Sequence, residues 1–164
     1  MGGNITIRSA SKFVKAKTMG GAIEISKVDG SVNVTTMGGN IQIDSLDGTV
    51  QATTMAGDLD ITMVGDSEKG ERNINLKSMS GDVTLTVPQG LSMNLDITLA
   101  YTKNSSRDYK IISDFPIQLE ETKDWDHSQG SPRRYIYGTG TIAGGKNKLK
   151  IETTNGDVYL KKTK

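Results

Sequence analysis

The chain has 164 residues, enough for one domain with its own core, and its 20 Lys and Arg against 19 Asp and Glu leave no global field to draw in nucleic acid. It has no cysteine, which excludes disulfides, zinc–thiolate centres and a thiol nucleophile, and no apolar run approaches the roughly 20 residues of a membrane-spanning helix. Aromatics are 5% and 19 glycines stand against 3 prolines, a balance suited to stacked, turn-rich β structure.

The first half is a repeat. Met1, Met19, Met37 and Met55 recur every 18 residues, each followed two positions later by Gly3, Gly21, Gly39 or Gly57. Met79 continues the series after 24 residues, which assigns six extra residues to the polar stretch 65–72. Each copy reads as two short strands. The first alternates aliphatic and polar residues, as in Ile23/Ile25, Ile41/Ile43 and Leu59/Ile61; the second does so in Val32/Val34 and Val50/Ala52. Between them lie the turns "VDG" (28–30) and "LDG" (46–48), where glycine supplies positive φ.

Two five-residue strands cannot bury their apolar face alone, but parallel stacking of equivalent strands does so at about 4.8 Å per layer. The expected fold is therefore all-β, a right-handed parallel β-solenoid of 18-residue coils. Thr18, Thr36, Thr54 and Ser78 are expected to form a hydroxyl ladder, with Met19, Met37, Met55 and Met79 filling the corner beside it.

The pattern changes after residue 87. "LSMNLDITLAY" (91–101) alternates over a longer strand, so residues 88–141 are read as wider coils with a protruding loop at 122–134. "TTNGDVYL" (153–160) rejoins the repeat, and 142–164 is read as a closing coil of the same single domain.

The repeated "TMGGNIxI…DGxVxAxT", the "SDFPI" at 113–117 and the closing "GTGTIAGGKNKLKIETTNGDVYL" together resemble the bacterial adhesin-type β-strand-repeat family, related to GIN-type head domains. The resemblance covers essentially the whole chain. It implies a β-solenoid that is secreted, periplasmic or surface-anchored. It supplies no catalytic residue, because that family has no assigned chemistry. Because the sequence opens inside a repeat, a further N-terminal part with a cap and a signal or anchor is expected.

Candidate sites are few. His127 is the single histidine and sits in a polar loop, so no His-based catalytic or metal centre is expected around it. Asp58 and Asp82 occupy equivalent positions in adjacent coils, about 5 Å apart by the strand spacing, with Asp60 nearby; they are the candidate calcium ligands, or an acid/base pair. The outward positions of the second strand, including Lys15, Lys17, Asn33, Thr35, Gln51, Thr53, Asn75 and Lys77, form a polar face suited to glycans or a protein. Trp125 with Arg133, Arg134, Tyr135 and Tyr137 is the candidate ligand-binding cluster, since an exposed Trp on a loop serves as a binding anchor; the alternative is that Trp125 folds back as a lid over the end of the core.

These observations predict a non-enzymatic extracytoplasmic binding or structural module without a cofactor, whose partner is a surface glycan or a protein and not nucleic acid. The alternatives are a carbohydrate-active β-helix enzyme, which needs converged carboxylates in a groove, and a scaffold that stacks end to end.

Overall fold

The structure is a computed structural model that describes residues 2–65, 72–103, 109–128 and 130–163. Met1 and most of the polar stretch assigned to the longer coil, residues 66–71, lie outside them. Every helix or strand among the described residues is a strand.

Alternation drives the local structure. In β1 (Ile5–Ile7), β2 (Ala10–Thr18), β3 (Ile23–Ile25) and β4 (Val28–Thr36), aliphatic residues turn in while the residues between them turn out. β5 (Ile41–Thr54) runs unbroken through a corner and carries both strands of its coil. β6 (Leu59–Met63), β7 (Ile74–Ser78) and β8 (Val83–Val87) complete the regular half. Register follows the repeat: Ile5 pairs Ile23, Ile23 pairs Ile41 and Ile41 pairs Leu59, all in parallel. In the second-strand row, Val14, Val32, Val50 and Ile74 stand in the same relation. Both rows send their aliphatics into one buried core, in which Ile23, Val34, Ile41, Ala52, Ile61 and Leu76 are fully enclosed.

Close stacking explains the glycines. A Cβ on Gly39 would sit 2.2 Å from the Gly21 carbonyl oxygen of the preceding coil, so that corner admits no side chain. The turns that carry Gly30 and Gly48 have φ of 137° and 150°; Lys12, at the same register position on β2, holds φ 87°.

The second half departs from the expected all-parallel coil. β9 (Met93–Thr102), β10 (Ile111–Ser113) and β11 (Gln118–Glu121) are followed by β12 (Arg133–Ile142), which returns antiparallel to β9 and pairs antiparallel with β11. The sheet is mixed. A parallel edge exposes a full row of backbone groups, and the β11–β12 hairpin covers β9 in a way that a further coil would only pass on to its own edge. The segment read as a protruding loop is the turn of this hairpin, and Arg133 and Arg134 belong to β12.

The last coil is not at an end of the stack. β13 (Asn147–Thr154) lies between β7 and β9, and β14 (Val158–Lys162) lies between β8 and β10, all parallel. Residues 147–162 therefore fill a slot inside the stack, where Leu149, Ile151, Val158 and Leu160 are buried.

Candidate functional site

Seven neighbouring strands build one outer face: β2, β4, the second half of β5, β7, β13, β9 and β12. Because successive residues of a strand alternate sides, burying Val32 and Val34 turns Ser31, Asn33 and Thr35 outward, and each neighbouring strand repeats the choice. The result is a set of columns crossing the strands. One runs Lys15, Asn33, Gln51, Asn75, Lys150, Asp96, Thr139. The next runs Lys17, Thr35, Thr53, Lys77, Glu152, Thr98, Tyr137.

At one end of this face lies a groove of about 530 Å³ whose lining includes Phe13, Ser31, Asn33, Thr49, Gln51, Asn73, Asn75, Lys148 and Lys150. Thr49 Oγ1 donates to Ser31 Oγ at 2.9 Å, and Asn73 Oδ1 accepts from the Lys148 amide at 3.0 Å. Phe13 is 60% exposed at the groove's end.

The other end of the face is aromatic. Tyr135 and Tyr137 stack with ring centres 5.9 Å apart and planes 17° from parallel. The Tyr135 hydroxyl donates to Asp126 Oδ2 at 3.3 Å. Burial, followed by the Asp126 charge, raises the Tyr135 hydroxyl above its ordinary pKa, while hydrogen bonds from Ser128 hold the Asp126 carboxyl below its own. A hollow of about 300 Å³ joins Tyr135 and Arg133 to Lys77, Met79 and Glu152.

The expected aromatic–basic cluster divides between two sides of the sheet. Arg134 pairs with Tyr101, one residue out of phase with Tyr135 and Tyr137, and so points to the opposite side. There the Arg134 guanidinium lies 4.5 Å over the Trp125 ring, and Tyr101 meets the same ring edge-on at 5.8 Å. The Tyr101 hydroxyl donates to the Glu121 carboxylate. Trp125 is thus half-buried, packed between these two side chains on the hairpin.

The chain matches the Toastrack DUF4097 family over residues 2–161. It belongs to that family. No curated protein and no solved structure matches it. The Toastrack match covers the whole repeat and assigns it no chemistry, so the roles of its side chains are read from geometry.

In this Toastrack chain Asp58 and Asp82 are indeed neighbours, and both serve a corner. Asn40 Oδ1 accepts from the Asp58 amide, Asp58 Oδ1 from the Asp82 amide, and Asp82 Oδ1 from the Asp157 amide, at 2.8–2.9 Å. Each side chain thus ties its coil to the next. Among the described residues no group of three or more His, Asp or Glu side chains is placed to hold a metal ion. The hydroxyl column does parallel work: Thr18, Thr36, Thr54 and Ser78 are buried and donate to the carbonyls of Gly3, Gly21, Gly39 and Gly57 at 2.8–3.0 Å, not to one another. Met19, Met37, Met55 and Met79 are 43–56% exposed instead of filling the corner, because the threonine or, at Ser78, the serine before each already occupies the inner side.

Phe13 was missed as a site residue. Its signal lies in the aligned repeat, where the lone aromatic of "SKFVKAK" occupies the column that Ser31 and Thr49 fill in the next coils.

Proposed function

We propose that this Toastrack domain is a non-enzymatic binding module, adhesin-like and acting outside the cytoplasm, that presents the outer face of its second-strand row to a glycan or protein. The extracytoplasmic setting rests on the resemblance of the repeat to surface proteins. In this reading the regular half is a right-handed solenoid whose rigidity keeps the face in register.

The observation that carries the reading is the amide column. Asn33, Gln51 and Asn75 stand one strand apart on the open face, and their side chains make no hydrogen bond within the described residues. An unoccupied, evenly spaced set of donors and acceptors on a stiff sheet favours an extended polar partner, since the cost of ordering the face is already met by the fold.

The test is a thermal-shift screen against polysaccharides and surface proteins, with calcium and chelator arms. A partner at 100 times its Kd stabilises the fold by about 2.7 kcal/mol. The shift is expected to vanish in the triple variant Asn33→Ala, Gln51→Ala, Asn75→Ala, whose changes lie at the surface. A shift that survives the triple variant, or a calcium shift lost on Asp82→Ala, would move the site elsewhere and overturn the reading.

A further inference from the structure

Two columns border the groove as rails. One is Phe13, Ser31, Thr49, Asn73 and Lys148; the other is Lys15, Asn33, Gln51, Asn75 and Lys150. They cross five strands, a length of about 19 Å at the usual strand spacing. No acidic side chain lines the groove between them. Lys148 has no ion-pair partner among the described residues; Lys150 stands beside Asp96 in its own column and reaches Glu152 at 3.3 Å in the neighbouring one, both acids lying outside the groove. Since Asn73 Oδ1 is committed to the Lys148 amide, its Nδ2 is left as a donor.

The geometry points to a linear uronate-bearing polysaccharide lying in this groove across the strands, with one sugar ring on Phe13 and a carboxylate between Lys148 and Lys150. This rests on the outer face being the binding face. Three features select the occupant. An exposed apolar ring offers the flat contact that the C–H face of a pyranose takes. The strand spacing is close to the length of one pyranose in an extended β-1,4-linked chain, so successive sugars meet Asn33, Gln51 and Asn75 in step. Lys148 and Lys150 both lie on β13, one on each rail, and flank the level of one sugar, which suits its single carboxylate better than several sulfates.

The test is calorimetric titration of the intact chain with a β-1,4-mannuronate hexamer and with β-1,4-mannohexaose, which lacks only the carboxylates. The acidic hexamer is expected to bind at least about tenfold tighter than the neutral one and to weaken as salt is added. Phe13→Ala, and the pair Lys148→Gln with Lys150→Gln, should each weaken it by about tenfold, and Tyr137→Ala by less than about twofold. These positions are exposed, and unchanged thermal midpoints confirm that the variants fold. Equal binding of the two hexamers, or loss on Tyr137→Ala instead of Phe13→Ala, overturns the uronate assignment while leaving the outer face as the binding face. If the acidic hexamer does not bind, the assignment falls; the outer-face reading falls with it only if the triple amide variant also leaves every partner in the broader screen unaffected.

Discussion

Gly38 and Gly39 are adjacent, yet one added methyl group has opposite consequences at the two. At Gly38 a Cβ meets nothing nearer than 3.8 Å, so Gly38→Ala should change stability by no more than about 0.5 kcal/mol. At Gly39 it lands 2.2 Å from a backbone oxygen of the preceding layer, and Gly39→Ala should cost about 3 kcal/mol or more. Urea denaturation of the two variants separates these outcomes. Thr36→Val keeps the shape of a fully buried side chain but removes its hydroxyl from the Gly21 carbonyl; the same measurement should show a loss of about 1–2 kcal/mol. Both residues were legible in advance, since only a position with the same task in every coil recurs so strictly. The methionines were misread. Periodic apolar residues suggest burial, but a buried Thr36 forces Met37 outward by alternation, and that parity was present in the sequence. Phe13 stood out in a single copy, where a repeat gives least guidance.

At the scale of the element, the β11–β12 hairpin depends on Trp125, held between Arg134 and Tyr101. Trp125→Ala should lower local stability by about 1–2 kcal/mol. Hydrogen exchange should then speed up at 118–121 and 133–137 while the Ile23 and Ile41 layers stay protected. The hairpin is also sensitive to alkali. Burial first, and then the hydrogen bond to Glu121, raise the Tyr101 hydroxyl above its ordinary value of 10.0. A raised folded-state pKa means that its stabilising share is complete below pH 10 and is lost as pH rises through the folded value. Tyr101→Phe should flatten this part of the alkaline limb of the stability profile, leaving the share due to Tyr135. The direction of the hairpin was not visible in the chain as written. "YIYGTGTI" alternates properly for a strand, but alternation is the same whichever way a strand runs, so the antiparallel return of β12 left no mark on it.

For the whole molecule, the placement of the last coil matters most. In a stack where each layer touches only its neighbours, removing a terminal layer trims the structure, whereas removing an inner one divides it. Deleting residues 147–163 takes away the partners of β7 and β8 on one side and of β9 and β10 on the other. The truncated chain should keep the pairing of β1 through β6 and lose protection throughout 93–142, as limited proteolysis with mass mapping would show. That insertion was hidden by the repeat itself. Leu149 and Ile151 present the same inward pair as Val50 and Ala52 or Ile74 and Leu76, so the sequence marks a coil without marking its layer.

The inserted coil also gives the fold a timetable. A chain made N-terminus first can add its early coils one by one as they emerge. Once Ser113 has appeared, about 50 further residues must be made before Lys162 does, which at roughly 5–20 residues per second is a wait of a few seconds. Throughout that wait β8 faces an open slot, and the slot fits any strand with alternating aliphatics, including one from a neighbouring copy. β14 thus closes the slot and ends its exposure to exchange with other chains.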